Sequence, residues 1–240
     1  MDISGRIELS DDLHALSRRA AEWFAETASA ASGTVRVALS GGSTPKELYA
    51  LLAGDPFRES MPWDRLEFFW GDERFVPYDD AASNYRMAKE TLLSRVPVTP
   101  ERVHPMPVDG TPDDAAVRYE TLLKRLYGAD EFDPARPFFH IMLLGLGSDG
   151  HTASLIPGQP VLEERRRWVS AVKGGRAEQR ITLTYPMIES SRTIAFLVGG
   201  AEKASAVRRA RSGDRELPAA RIRPHGEVIW FLDRAASGQD

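Results

Sequence analysis

The chain has 240 residues, of which 42% are apolar and 28% are charged, and its net charge is −4. These values are ordinary for a globular protein and leave no broad basic surface of the kind that binds nucleic acid. Cysteine is absent, which excludes disulfides, thiolate metal sites and cysteine nucleophiles. No apolar run is long enough to cross a bilayer, and the N-terminus lacks the build of a secretory signal. We therefore expect a cytoplasmic protein with neither nucleic-acid nor membrane partners.

The length predicts one domain over residues 1–240, and the sequence does not fix its oligomeric state, although a monomer is compatible with it. Ser10 is predicted to cap a first helix, because two aspartates and an apolar stripe follow it. The strand TVRVAL (34–39) then runs directly into a second helix. There Thr44 and Glu47 have the spacing of a capping box, and Pro45 suits the first helical position.

The rest of the chain alternates between apolar strands and amphipathic helices. Predicted strands are LEFFW (66–70), FFHIML (138–143), WVSAV (168–172), RITLT (180–184), TIAFLV (193–198) and EVIWFL (227–232); predicted helices are SNYRMAKETLLSRV (83–96), TPDDAAVRYETLLKRLYG (111–128) and GGAEKASAVRRARS (199–212). Thr111 caps the second of these helices and Gly128 closes it. This alternation predicts an α/β, Rossmann-like three-layer domain: a mostly parallel sheet with helices on both faces.

Glycine-rich loops follow several of the strands, and in open parallel sheets the ligand crevice lies beyond the carboxyl ends of the strands. In SGGST, Gly41 and Gly42 allow close backbone approach, while Ser43 and Thr44 add hydroxyls at a helix start. This is the chemistry of a phosphate cradle, but a tight strand-to-helix turn explains the segment equally well. GGAEK repeats the pattern, and Lys203 near its helix start favours a bound anion.

GLGSDG (145–150) matches the dinucleotide fingerprint G-x-G-x-x-G letter for letter. A dinucleotide site also needs a long following helix and an acidic residue about twenty positions on. Pro157 and Gly158 end any helix early, and SAVKGG offers no carboxylate at the required distance. We therefore interpret the match as chance, and the glycines as serving a loop that carries Asp149 and His151.

His151 is the histidine whose position favours general base or acid catalysis, although a hydrogen-bonded loop histidine is the plainer interpretation. His140, inside an apolar strand, is interpreted as a core residue. No two histidines have metal-ligand spacing, so we expect no metal. In GDER, Asp72 and Arg74 follow a buried strand, which favours a ligand-facing carboxylate and guanidinium over a surface ion-pair cluster.

Taken in order, ALSGGSTPKELY, FFWGDERFVPYDDAASNY, LLGLGSDGHTASLIPG, RITLT and FLVGGAEKA resemble the 6-phosphogluconolactonase family over nearly the whole chain. The resemblance implies hydrolysis of 6-phospho-D-glucono-1,5-lactone in the pentose phosphate pathway, without metal or cofactor. It also assigns roles to nine residues. It implies substrate and phosphate binding by Gly41, Gly42, Ser43, Thr44, Arg180 and Lys203, a pocket-lining position for Arg74, and catalytic roles for Asp72 and for His151, which activates water. From the residues themselves we add catalytic roles for Arg74, which suits a developing oxyanion, and for Asp149 beside His151.

Three positions depart from the family pattern. His140 stands where the family usually has Asp, Ile156 stands where it has Phe, and KGGRAEQR replaces a proline-rich stretch before Arg180. Two other functions stay open. One is a glucosamine-6-phosphate deaminase or isomerase, and the other is a sugar-phosphate sensor without catalysis, for which no DNA-binding extension is seen.

Overall fold

Two β-sheets organise the computed structural model, which describes residues 3–133 and 135–239. The strands of this described part are β1 Arg6–Ser10, β2 Val35–Leu39, β3 Leu66–Trp70, β4 Asp72–Arg74, β5 Ile141–Leu144, β6 Val169–Val172, β7 Arg180–Leu183, β8 Thr193–Val198 and β9 Glu227–Asp233. The predicted strand at 138–143 is observed at 141–144, after the buried Phe138 and Phe139. His140 therefore precedes the strand and is half-buried, not a core residue inside it.

Helices connect most of the strands. The α-helices are α1 Leu13–Ala30, α2 Ser43–Leu52, α3 Phe57–Ser60, α4 Asn84–Ala88, α5 Pro112–Tyr127, α6 Tyr185–Glu189, α7 Ala204–Arg211 and α8 Arg234–Ser237. Short 3₁₀ turns cover Trp63–Arg65, Pro100–Arg102, Pro160–Glu163, Ala201–Lys203 and Ala219–Arg221, and α4 continues into a π-helical turn at Lys89–Leu93. No helix of the described chain is long and apolar enough to cross a membrane.

The six-stranded central sheet is parallel throughout, in the order β1-β9-β8-β5-β2-β3. Every residue of β5 and β8 is buried, as expected for strands that are covered on both faces. The buried apolar residues of this sheet and its covering helices form one core, whose members come from the whole described chain between Ile3 and Ala236. The predicted Rossmann-like α/β fold is confirmed.

The smaller sheet has the order β4-β7-β6 and is antiparallel. Two predicted strands, WVSAV and RITLT, belong to it rather than to the parallel sheet. Their apolar patterns identified them as strands but carry no information about strand direction. This sheet begins directly after the carboxyl end of β3, because a single residue, Gly71, separates β3 from β4.

Two predicted helix caps are wrong. Strand β1 continues through Ser10 because Ser10 pairs in register with Asp233 on β9, and α1 is capped instead by Asp12, whose Oδ1 accepts the Ala15 N–H at 2.8 Å. The capping box at Thr44 does not form either. With Gly42 as N-cap, α2 begins at Ser43, so that Thr44 already lies inside the helix.

The predicted boundaries of α5 are confirmed. The Thr111 hydroxyl accepts the Asp114 N–H at 3.2 Å, Pro112 opens the helix, and Gly128 ends it in the left-handed conformation with φ 79°. Predicted helix 199–212 is shorter than expected. Its glycines stay outside the helix, Lys203 lies in a 3₁₀ turn, and the α-helix begins at Ala204.

Candidate active site

Four neighbouring strands of the central sheet, β8, β5, β2 and β3, open at their carboxyl ends into one cavity of about 300 Å³. The loops after all four strands line it. The lining residues are Ser40, Gly41, Gly42, Ser43, Thr44, Pro45, Asp72, Arg74, Asn84, Gly145, Leu146, Gly147, His151, Thr152, Ala153, Arg180, Leu197, Val198, Gly199, Glu202 and Lys203. In open parallel sheets this edge is where ligands bind.

Two helix starts face the cavity, each preceded by a glycine with positive φ. Gly42 has φ 108° and Gly200 has φ 101°, and neither start has a side-chain cap. The Tyr49 hydroxyl holds the first loop in place. It accepts the Ser40 N–H and donates to the Ser40 carbonyl, both at 2.9 Å. Uncapped backbone N–H groups and the positive end of the helix dipole together favour an anion.

His151 is fixed from one side by Asp149. Its Nδ1 lies 2.5 Å from Asp149 Oδ1, and the same oxygen accepts the His151 N–H at 3.1 Å. Because an ionised carboxylate only accepts, Nδ1 donates this hydrogen bond, and in the neutral ring Nε2 then keeps its lone pair. The ring packs on the backbone of Gly147, where a Cβ would collide with the imidazole.

The Asp149 carboxyl is ionised over a wide pH range. Partial burial raises its pKa, but hydrogen bonds from His151 and Arg176 outweigh burial and bring the pKa well below its usual range. An ionised carboxylate behind the imidazole holds the ring in one tautomer and orientation, and it stabilises the imidazolium if a proton is taken up.

Asp72 is buried at the cavity wall, 5% exposed, and its carboxylate is hydrogen-bonded. Its Oδ2 accepts the hydroxyl of Ser154 at 2.6 Å and lies 3.8 Å from Arg180 Nη1. Asn84 Nδ2 donates to the Asp72 carbonyl at 2.9 Å. The carboxylate is thus oriented as a fixed acceptor at the wall.

Two arginines stand opposite each other on the smaller sheet, where Arg74 and Arg180 are paired in register between β4 and β7. Arg74 Nη1 donates to the Ala82 carbonyl at 2.5 Å, whereas the buried Nε of each arginine has no hydrogen-bond partner. Burial lowers the pKa of Arg180, and Asp72 partly offsets this effect. Two guanidinium groups at the wall of one cavity suit an anionic ligand.

Glu73, the middle residue of β4, has a structural role that its sequence motif does not indicate. Its carboxylate is buried and accepts the backbone N–H groups of Asn84 and Tyr85 at 2.7 Å each and the Ser83 hydroxyl at 3.1 Å. Burial nevertheless raises its pKa, because these bonds offset the desolvation only in part. These hydrogen bonds hold the start of α4 next to β4, and they place the Asn84 side chain in contact with Gly41.

Of the ten predicted site residues, nine line the cavity, and Asp149 lies behind His151. Lys203 is half-buried at the second helix start, next to the exposed Glu202. The sequence patterns assign no role to Asn84, Ser154 or Arg176, because each acts through a side-chain contact with another site residue and not through a loop motif of its own. Residues 3–133 and 135–239 contain no group of three His, Cys, Asp or Glu side chains placed to hold a metal ion.

Comparison with known proteins identifies the family of this chain. Residues 11–230 match the family described as glucosamine-6-phosphate isomerases/6-phosphogluconolactonase. A 6-phosphogluconolactonase of Synechocystis is 40% identical over 210 residues, covering 85% of this chain and 84% of that protein. One from Nostoc is 38% identical over 220 residues, covering 89% of this chain and 88% of that protein.

The fold is shared with solved structures as well. The 6-phosphogluconolactonase of Trypanosoma cruzi superposes with a TM-score of 0.84 at 31% identity, covering 99% of this chain and 97% of that one. Both the matched range and the relatives extend over most of the sequence. The chain belongs to the glucosamine-6-phosphate isomerase/6-phosphogluconolactonase family.

Proposed function

We propose that this protein hydrolyses 6-phospho-D-glucono-1,5-lactone to 6-phospho-D-gluconate, the lactonase step of the pentose phosphate pathway, and that it does so in the cytoplasm. One observation carries the proposal: an imidazole, held by a carboxylate in its Nε2-acceptor tautomer, lines the same cavity as two uncapped helix starts. Relatives of about this length, at 38–40% identity, bear the name 6-phosphogluconolactonase.

The chemistry needs one base and a place for a developing oxyanion. Neutral His151 takes a proton from water through Nε2 while the water oxygen attacks the lactone carbonyl carbon. Asp149 holds the opposite nitrogen and stabilises the imidazolium. The tetrahedral oxyanion then collapses, the bond between the carbonyl carbon and the ring oxygen breaks, and the ring oxygen takes up a proton. A lactone is already an activated ester, so the reaction requires neither a covalent nucleophile nor a metal.

The phosphate end of the substrate supplies orientation. The start of α2, with Gly41, Gly42, Ser43 and Thr44, offers N–H and hydroxyl donors, and Lys203 with Arg74 and Arg180 supplies positive charge. Binding energy from this remote dianion holds the ester carbon beside His151, so binding is used to lower the barrier. Asp72, fixed by Ser154, accepts hydrogen bonds from the sugar hydroxyls.

The experiment compares two reactions with one preparation. Freshly made lactone is mixed with the enzyme and its hydrolysis is corrected for the spontaneous rate, while glucosamine 6-phosphate is assayed in parallel for ammonia release. We expect lactone turnover that persists in EDTA, and no ammonia. Ammonia release without lactone turnover would replace the proposal with the deaminase function, and binding without either turnover would favour a sensor.

A further inference from the structure

Arg176 contacts both members of the His151–Asp149 pair from behind. Its Nη2 donates to Asp149 Oδ2 at 2.6 Å and lies 3.0 Å from His151 Nδ1. With the hydrogen of Nδ1 bound to Asp149, the second approach is an electrostatic contact and not a hydrogen bond. Arg176 comes from the loop between β6 and β7, directly after Gly174 and Gly175, and not from the loops that follow β2, β3, β5 and β8. It lies outside the described residues that line the cavity, so its contacts are with the catalytic pair and not with the space for the substrate.

The loop that carries Arg176 is built to reach this position. Gly175 has φ 79°, and a Cβ there would lie 2.8 Å from Ile156 Cγ2 and 3.1 Å from Gln159 Nε2. The backbone therefore packs down on Ile156 through a glycine turn that other residues cannot adopt without strain. Arg176 then donates through Nη1 to the Gly175 carbonyl at 2.7 Å, which turns its guanidinium back toward Asp149.

The charge of Arg176 has two effects on the pair. Because Asp149 Oδ1 binds the Nδ1 proton, the arginine can engage the other oxygen, and it thereby fixes the plane of the carboxylate and of the ring. A guanidinium also lies close enough to the imidazole to disfavour a second positive charge there. The first effect orients the His151 ring, and the second makes the pH dependence of catalysis sensitive to Arg176.

We propose that Arg176 is a positioning residue, which acts through Asp149 to hold the His151 ring in its Nε2-acceptor orientation. The proposal rests on the proposed lactonase function for its kinetic consequences but not for its geometry. The other charged residues of the described chain that line this cavity are Asp72, Arg74, Arg180, Glu202 and Lys203. They are identical in every variant below, so a difference between variants reports on Arg176.

The kinetic test uses Arg176→Ala and Arg176→Lys, with Lys173→Ala as the control. Lys173 lies in the same loop but pairs with Asp113 at 2.5 Å, away from the catalytic pair. For Arg176→Ala we expect kcat to fall about tenfold, the lower end of what a charged hydrogen bond contributes, with KM unchanged. The acid limb of the kcat/KM profile should move to higher pH, by on the order of one pH unit. Arg176→Lys should lie between Arg176→Ala and the wild type, and Lys173→Ala should match the wild type.

A readout without substrate separates this proposal from the proposed function. The titration of the His151 ring in the free protein, followed by NMR and assigned with His151→Ala, should move to higher pH in Arg176→Ala. If the wild type hydrolyses no lactone, the proposed function fails and this titration alone decides the role of Arg176. An unmoved titration would overturn the positioning role, as would an unmoved acid limb or a rise in KM at constant kcat. Arg176→Gln replaces Arg176→Ala if the latter does not fold.

Discussion

His151 is, within the described chain, the histidine that lines the candidate cavity, so its removal is the sharpest test of the chemistry. We expect His151→Ala to lower kcat by about 10²–10⁴, the usual contribution of a general base. Asp149 keeps its partner Arg176 in this variant, so thermal unfolding should stay close to that of the wild type. Turnover is measured with fresh lactone and corrected for spontaneous hydrolysis. Wild-type turnover in a folded variant would remove His151 from the mechanism.

Gly147 offers a test of His151 placement that leaves every functional group present. A Cβ at Gly147 would collide with the His151 ring and the Asp149 carboxylate, so Gly147→Ala must displace the imidazole. We expect kcat to fall about 100-fold, as for a misplacement of roughly 1 Å. Gly54→Ala is the matched control, because its added Cβ would meet no atom closer than 3.6 Å. Equal kcat in the two variants would contradict the tight packing of the ring.

The sequence could identify residues on the loops that end the parallel strands, because both the strands and the glycines leave local patterns. Ser154 lies on one of these loops and Arg176 follows a pair of glycines, but nothing in the sequence pairs Ser154 with Asp72 or Arg176 with Asp149. Ser154 is recognisable only once β4 brings Asp72 to it across 82 positions of sequence, and Arg176 only once the turn at Gly175 has packed on Ile156. These contacts depend on tertiary packing, which a single sequence does not display.

Helix α1 allows a direct comparison of the predicted cap with the observed one. Asp12→Ala removes the carboxylate that accepts the Ala15 N–H and should lower the free energy of unfolding by about 1 kcal/mol. Ser10→Ala should cost less, because Ser10 belongs to β1 and caps nothing. Denaturant unfolding of both variants measures the difference, and the lactonase rate should be the same in each. A larger loss for Ser10→Ala would restore the predicted cap.

Strand direction is the property of the elements that the sequence did not reveal. Strand β7 is buried along its whole length, as β5 is. The sequence pattern therefore does not distinguish an antiparallel strand such as β7 from a parallel strand such as β5. What separates them is pairing: β7 lies between β4 and β6 and is antiparallel to both. The smaller sheet matters for function, because its register sets Arg74 opposite Arg180 and brings Asp72 to the cavity.

At the scale of the whole molecule, the candidate site lies at one end of the parallel sheet, and a contact with a structural role lies at the other end. The glycine loops and His151 lie at the carboxyl ends of the strands. At the opposite end, His140 directly precedes β5 and is bound to Arg36 of β2. The His140 N–H donates to the Arg36 carbonyl at 2.9 Å, and Nδ1 of the ring accepts the Arg36 N–H at 3.2 Å. Substitutions at this end should therefore change stability without changing catalysis.

His140 makes that separation testable through pH. Burial, together with Arg192 and Arg36, lowers the pKa of His140 below its usual 6.5. As pH falls through 6.5, the unfolded chain takes up a proton that the native protein does not, so stability present above that pH is lost toward the lower folded pKa. His140→Asn keeps an acceptor for the Arg36 N–H but cannot titrate. The free energy of unfolding should therefore fall less between pH 7.5 and 5.5 in this variant than in the wild type.

The matched control for that variant is His225→Asn, because His225 is exposed and its replacement should leave the wild-type pH dependence in place. Lactone turnover at pH 7.5 should be the same in both variants and in the wild type, since neither residue approaches the cavity. A wild-type pH dependence in His140→Asn would show that other groups cause the loss of stability in acid. A fall in turnover would show that the two ends of the sheet are coupled.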